Sequence, residues 1–432
     1  MQREGHMRMR PAVRRASVSA SFVLLATCAS AQISFDQAIG GLAASEAKVR
    51  LRSVTLLKES PHIEAAIPLA KAVGDPDNAV QLEAIAAELN IFVAGKGEPV
   101  KKLGFITIED RTRAAAQNAF DAGPLALGAT LVPPQVLAAL RSAIRDDSPK
   151  VAIEALYAFG TLGVQPTGMA RQDLLQVSAP DLTAILNLPD PALRLAAIHV
   201  VGRLYERRAG DLLLDQRLSN IVIAAVNESD RTIKLAAMAT LGEIRETRAI
   251  DGLTQLFQFY GKGELAEGAL AALARIGHRS IAPLFVMQLD SKSSVFKMLA
   301  IEGLARTGDA SHMAAIQGAL KRETDERVVG ASEFAAAMLS NAPIEQLIDA
   351  LNRPKLHDSA RQYLIEVAPG RVSRMSRYAQ DPTPRMRIDV ADIVGMAGDP
   401  QGLAVIAPLL TDKDKQVALA AERATLRLKS DR

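Results

Sequence analysis

A nine-residue segment recurs along this 432-residue chain, and its spacing constrains the fold more than any other feature. The segment DPALRLAAI at 190–198 returns as DRTIKLAAM at 230–238. With its fourth residue taken as an anchor, the intervals from Ile233 to Val417 are 32, 30, 33, 29, 29 and 31 residues. Each interval has room for two short helices and two tight turns, so the sequence predicts a helical repeat array. The anchors are Val49, Val80, Val151, Leu193, Ile233, Leu265, Val295, Val328, His357, Met386 and Val417.

The residues around each anchor indicate where one helix of the repeat begins and ends. Three residues before it stands a residue whose side chain can accept a first-turn N–H. Four residues after it the side chain is usually small, which lets neighbouring helices approach closely. An apolar segment with three-to-four spacing precedes the cap, as at 250–260, and predicts the first helix of the pair. The predicted N-caps are Asp77, Ser148, Asp190, Asp230, Asp325, Thr383 and Asp414.

The pattern Asp-x-x-Val-Arg-x-x-Ala followed by Leu-Gly, as at 190–197 and 230–242, resembles the HEAT-like repeats of the phycobilin-lyase type. The match covers most of residues 43–429. The resemblance implies an all-α fold, an α-solenoid of about 11–12 short helix pairs. It indicates little about function, because such repeats serve many unrelated roles. In HEAT-like arrays the capping Asp and the basic residue after the anchor commonly form a ladder between repeats. Arg50, Arg194, Lys234 and Arg387 occupy that basic position and are expected to be structural.

Breaks in the period divide the chain. We predict a signal peptide at 1–31, N-terminal repeats at 32–94, an irregular insertion at 95–134 and a continuous array at 135–432. A second irregular stretch is expected at 160–180, because it holds Gly163, Pro166, Gly168 and Pro180. Such insertions lie on one face of an array, where they either carry function or are tolerated at little cost.

The N-terminus has the features of a secretory leader. Arg14 and Arg15 precede a short apolar stretch, and Ala29-Ser30-Ala31 forms a cleavage site before Gln32. The stretch is shorter than the ~20 residues of a spanning helix, so we expect cleavage, no membrane insertion afterwards, and a periplasmic or secreted protein. A lipoprotein anchored through Cys28 is the alternative, although Thr27 is atypical before a lipidated cysteine.

Composition narrows the possible partners. The net charge of +3 comes from the leader, and residues 32–432 hold 46 basic and 47 acidic residues. The processed chain therefore lacks the excess of basic residues that would indicate a nucleic-acid partner. Aromatic residues make up only 4% and Trp is absent, which suits thin layers of small aliphatic side chains. The one cysteine, Cys28, lies in the leader, so the processed chain could form neither a disulfide nor a thiolate site.

The familiar motifs for metal binding, nucleotide binding and nucleophilic catalysis are absent from the sequence. Its six histidines are scattered, none is followed by Glu, and there is no Walker A segment and no G-x-S-x-G. We therefore predict a protein without cofactor or metal, which is not an enzyme. The favoured hypothesis is a monomeric scaffold of the cell envelope that presents a curved surface to a protein or peptide. The alternative is a lyase or chaperone related to the HEAT-like phycobilin lyases and acting on a tetrapyrrole. Export argues against it, because that chemistry is cytoplasmic in the family.

A candidate partner surface follows from helix geometry. Positions 3, 6 and 10 after the anchor lie on one stripe of the second helix. In three consecutive units this stripe is apolar and rich in Met and aromatic residues, which is typical of a partner site. The competing interpretation is that the stripe packs against the next repeat and is core. The predicted binding residues are Met298, Ile301, Phe334, Met338 and Tyr363.

Overall fold

The computed structural model of the protein describes residues 34–93, 115–207, 214–321 and 323–430. These residues form 22 α-helices, numbered α1 to α22 in chain order, several short 3-10 helices and a single isolated bridge between Val93 and Leu127. No strand occurs in the described ranges. None of the helices in these ranges is long and apolar enough to cross a membrane. The predicted leader at 1–31 and residues 94–114 lie outside the described residues.

The helices form two layers. The first helices of the units are α1 (Phe35–Gly41), α3 (Ala66–Ala72), α6 (Pro134–Ala143), α8 (Gly168–Leu186), α10 (Gln216–Ala225), α12 (Ile250–Tyr260), α14 (Ala282–Gln288), α16 (Met313–Leu320), α18 (Glu345–Ala350) and α21 (Gly402–Ile406). The second helices are α2 (Ala47–Glu59), α4 (Asn78–Phe92), α7 (Pro149–Leu162), α9 (Pro191–Leu204), α11 (Arg231–Glu243), α13 (Glu264–Ile276), α15 (Ser294–Thr307), α17 (Glu326–Leu339), α19 (His357–Val367), α20 (Pro384–Ala397) and α22 (Lys415–Ser430).

Each second helix packs against its own first helix and against the second helix of the next unit. The eleven second helices therefore form a continuous stack with an apolar core that runs its whole length. Before α20, two 3-10 turns at Val372–Met375 and Tyr378–Gln380 replace the first helix. The predicted all-α solenoid is confirmed.

The predicted caps locate the starts of most second helices. The side chains of Asp77, Asp190, Asp230, Asp325 and Asp414 accept first-turn N–H groups, as expected. Ser148 and Thr383 also stand at caps, but their side chains accept no such bond and a proline follows each. Proline has no N–H to be satisfied, which fits the first helical position.

Two anchors, in α13 and α15, were placed one residue too early, and a third, His357, directly follows the cap Leu356 of α19. The caps of α13 and α15 are Gly263 and Ser293, so the positions that match the other anchors are Ala266 and Phe296. Both are buried, whereas Leu265 and Val295 are only partly buried. The error shifts every position counted from these anchors by one residue, which turns it to a different direction on the helix.

The expected ladder between repeats exists, but its acid is not the capping residue. Arg50 makes two bonds to Asp75, two residues before the cap Asp77, with Nε–Oδ2 and Nη2–Oδ1 distances of 2.6 and 2.8 Å. Asp75 also accepts the N–H of Asp77 at 2.9 Å. The third nitrogen of Arg50 donates to the carbonyls of Ala44 and Ser45, in the loop before its own helix. One guanidinium thus joins two loops of successive units.

Other units repeat this arrangement. Arg387 contacts Asp412 at 2.7 and 2.9 Å and the carbonyls of Asp381 and Pro382 at 2.7 and 3.2 Å. Arg194 pairs with Glu228, and Lys297 pairs with Glu323 at 2.7 Å. Lys234 instead donates to the Tyr260 hydroxyl at 2.9 Å. These ladder contacts are structural.

The ladder continues across the insertion. Gln81, which follows the anchor Val80, donates from Nε2 to Asp146 Oδ2 at 2.9 Å, although 65 residues separate them. Helices α4 and α7 pack directly, so the units on either side of the insertion stack in register. Within the described part of the insertion, α5 (Ala115–Asp121) packs on α7, and Pro124–Ala126 forms a 3-10 helix. The Phe120 ring fits over Gly160, where a Cβ would come within 2.8 Å of it.

Two further features differ from a regular array of helix pairs. The expected irregular stretch at 160–180 is wrong in part, because Gly168–Leu186 form a 19-residue helix that contains Pro180. The last helix also reaches the insertion. Arg427 of α22 donates from Nη2 to the carbonyl of Pro124 at 2.6 Å, across 303 residues of sequence.

Candidate functional site

Most of the predicted apolar strip is core. Ile301 and Phe334 are 0% exposed and Tyr363 is 3% exposed. Met298 is partly buried, and only Met338, at 37%, is exposed. The five residues therefore do not form a continuous surface for a partner. The burial of Ile301, Phe334 and Tyr363 agrees with the competing interpretation, in which the stripe packs between repeats.

Two of the five belong to a buried ionic and aromatic cluster. The rings of Phe334 and Tyr363 stack with centroids 4.6 Å apart, and the Arg306 guanidinium lies 5.1 Å from the Phe334 centroid. The Tyr363 hydroxyl donates to Glu302 at 2.5 Å. Glu302 and Arg306 stand 6 and 10 residues after Phe296, so they are the true members of this stripe in α15. The one-residue error put Ile301 in place of Glu302 and Met298 in place of Leu299, and it missed Arg306.

Arg306 is the centre of this cluster. It makes two 2.9 Å bonds to Glu366 and one of 3.1 Å to Glu302, and its side chain is 5% exposed. Burial alone would raise the pKa of Glu366, but the hydrogen bonds and charge of Arg306 outweigh it and hold that pKa below its usual value. A buried ion pair with satisfied bonds is a structural feature, and this one joins α15 to α19, two units away.

A looser group of charges continues from this cluster toward α9 and α11. Arg275 lies 3.3 Å from Glu366 and 3.6 Å from Glu206. Burial, aided by the negative charge of Glu206, raises the pKa of Glu243 to about 7. A carboxyl group that titrates near neutrality can serve in acid–base catalysis, but it is not sufficient without a reacting partner. In the described ranges no group of three metal-binding side chains accompanies it.

The clearest candidate binding site is a groove at the junction of the second and third units. It has a volume of about 520 Å³ and lies where the ends of α3 and α6 meet the loops before α4 and α7. An adjoining cavity of about 490 Å³ shares Gln81, Asp146 and Asp147 with it and extends to Asp75 and Pro76. We call the two together the junction groove. No sequence pattern predicted this groove.

The walls of the junction groove hold unmatched hydrogen-bond acceptors. Gln81 is only 5% exposed, and its Oε1 has no hydrogen-bond partner. Asp146 accepts from Gln81 and from the N–H of Ser148 at 2.9 Å, which leaves part of its capacity unused. Asp147 is exposed and forms no hydrogen bond or ion pair with any residue the structure describes. A buried acceptor without a partner costs free energy, so a ligand that donates to it would bind favourably.

Two basic side chains stand at the rim of the junction groove. Arg145 is 3.3 Å from Asp181 and is thereby engaged. Lys71 is exposed and has no ion pair among the described residues. Neither replaces the cation that the ladder places against the equivalent acid in other units.

Comparisons with known proteins give limited information. No protein-family model and no curated protein sequence matches the chain. Among solved structures, an engineered protein is 18% identical over 91% of this chain and 98% of its own, with a TM-score of 0.43. The complex of CpcE and CpcF of phycocyanin lyase from Nostoc is 19% identical over 59% of this chain and 94% of its own, with a TM-score of 0.39. Kap95p, in a structure with RanGDP, is 13% identical over 91% of this chain and 55% of its own, with a TM-score of 0.40. At these values the similarities support no inference about function.

Proposed function

We propose that this protein is a non-enzymatic scaffold of the cell envelope that binds a protein or peptide partner and acts as a monomer. The observation that carries the proposal is the junction groove, an open polar groove with the unpaired acceptors of Gln81 and Asp147. A groove of this size suits a side chain or short segment of a partner. The leader predicted at 1–31 supports the location.

The rest of the array supports a scaffold by its construction. The ladder and the Arg306 cluster satisfy their charges internally, which makes a stiff frame. A stiff frame holds the two walls of the groove at a fixed distance, so binding does not first have to order them.

The test is a comparative capture experiment. The processed chain from Gln32, tagged at its C-terminus, is incubated with periplasmic extract beside a variant with Asp146→Asn and Asp147→Asn. We expect one protein to be enriched by the parent and lost with the variant. Recovery of the same proteins by both would contradict the proposal. Appearance of a new visible absorption band on mixing with a bilin would favour the tetrapyrrole alternative instead.

A further inference from the structure

The units of the array show what normally occupies the position that Gln81 holds. Six acids lie two residues before a second-helix cap, namely Asp75, Asp146, Glu228, Glu323, Asp381 and Asp412. Four of them pair with an Arg or Lys that follows the preceding anchor. Asp381 follows the irregular 3-10 turns and lines neither cavity of the junction groove. Asp146 is the acid that faces a neutral Gln in an otherwise regular junction.

The surroundings of Gln81 match those that hold a guanidinium elsewhere. In the units of Arg50 and Arg387 the carbonyls five and four residues before the anchor accept from the guanidinium. The same positions before Val80 are Asp75 and Pro76, which line the groove. No hydrogen bond from a described residue ends on either of these two carbonyls. The acid, the carbonyls and the space are therefore present, and the cation is missing.

The chemistry favours an organic cation over a metal ion. No group of three acidic, His or Cys side chains in the described ranges is placed to hold a metal. A guanidinium presents five donors in a planar fork, and carboxylates and carbonyls of the ladder accept from it in two other units. Gln81 lines both cavities, and its buried Oε1 has no hydrogen-bond partner among the described residues.

We propose that the junction groove binds the guanidinium of an arginine side chain, which completes from outside the ladder position that Gln81 leaves without a cation. The ligand class is thus an arginine-bearing peptide segment. The assignment of this segment to a protein partner rests on the proposed function. The binding of the guanidinium itself is independent of that function.

The experiment measures binding of a single capped residue. Saturation-transfer difference NMR of the processed protein is recorded with N-acetyl-arginine amide, and with N-acetyl-citrulline amide as the uncharged control of equal shape. We expect transfer to the arginine derivative and at least about tenfold weaker binding of citrulline, because charge-assisted bonds are lost. Gln81→Arg should abolish the transfer and raise Tm, since it fills the site from within. Asp147→Asn should weaken binding and leave Tm within about 1 °C of the parent, because Asp147 is exposed.

Each outcome decides the proposal. Equal binding of the two derivatives, or unchanged binding to Gln81→Arg, overturns it. If Gln81→Arg does not fold, unchanged binding to the variant with Asp146→Asn and Asp147→Asn overturns it in the same way. Displacement of the arginine derivative by micromolar CaCl2 would show a metal site and also overturn it. If the arginine derivative binds but the parent and Gln81→Arg capture the same proteins, binding of the guanidinium is supported and the scaffold function is refuted. The failures of the two proposals are therefore distinguishable.

Discussion

Glu88 in α4 should make the protein less stable as pH rises. Its side chain is 0% exposed, and neither carboxylate oxygen has a hydrogen-bond partner among the described residues. It stands eight residues after the anchor, where other units place buried apolar residues such as Phe159, Val201 and Leu241. Burial raises the pKa of Glu88 to about 9 from an ordinary value of 4.5. The native state therefore holds the proton that the unfolded chain releases.

The sign and size of the effect follow from proton linkage. Because the folded pKa is raised, the contribution of Glu88 is most favourable below pH 4.5 and is lost progressively as pH rises toward 9. In that window the folded chain binds one more proton than the unfolded chain, so the free energy of unfolding falls by about 1.4 kcal/mol per pH unit. Between pH 5 and pH 8 the loss is about 4 kcal/mol.

The assay compares the parent with Glu88→Gln, which keeps the shape and removes the titration. Denaturant unfolding at pH 5, 6, 7 and 8 should give two curves that diverge by about 4 kcal/mol, with the variant more stable at high pH. Because an array can open locally, hydrogen exchange of the α4 amides supplies the local readout. Glu83→Gln on the same helix is the control, since Glu83 pairs with Lys58 at 2.6 Å and Glu88 is intact. Parallel profiles for parent and Glu88→Gln would refute the reasoning.

Three further predictions concern the array and the leader. Arg306→Met removes the main cationic partner of two buried carboxylates and should cost about 3–5 kcal/mol, measured by denaturant unfolding and by lost exchange protection in α15 and α19. Phe334→Ser should cost at least about 3 kcal/mol while Met338→Ser stays within about 1 kcal/mol, and equal melting temperatures for the two would show that the strip is not core. The exported protein should begin at Gln32 without lipid, and an intact mass that includes a diacylated Cys28 would contradict this.

The sequence predicted the architecture because its signals are local. An Asp cap followed by an apolar anchor three residues later specifies where a helix begins, and five such caps lie where they were expected. The prediction failed where that signal is missing. Gly263 has no side chain to accept a bond, and at Ser293 both Val295 and Phe296 are apolar, so the pattern fits two registers. One residue of error then put Met298 and Ile301 in place of Leu299 and Glu302, and it missed Arg306.

The charged cluster could not be predicted from local pattern at all. Arg306 meets Glu366 across 60 residues and Arg275 meets the same carboxylate across 91. These separations correspond to two and three units, so the contacts depend on the small rotation that each repeat adds to the stack. That rotation follows from packing between helices, which a periodic sequence leaves undetermined. The junction groove was missed for a related reason, because the insertion separates Gln81 from Asp146 by 65 residues and hides that Asp146 is the equivalent of Asp75.

A repeat array contains its own reference for what each position requires, and α4 departs from that reference twice. Gln81 stands where four other units set an Arg or Lys against the acid before the next cap, and Glu88 stands where other units use an apolar side chain. The two are seven residues apart, hence two turns apart on one face of the helix. We expect both residues to lower stability relative to the side chains that other units carry at these positions, as is common at sites retained for function. If Gln81→Arg and Glu88→Leu are each more stable than the parent at pH 8, and only Gln81→Arg loses arginine binding, the cost of the Gln81 departure is explained by the ligand. The Glu88 departure then needs a different cause.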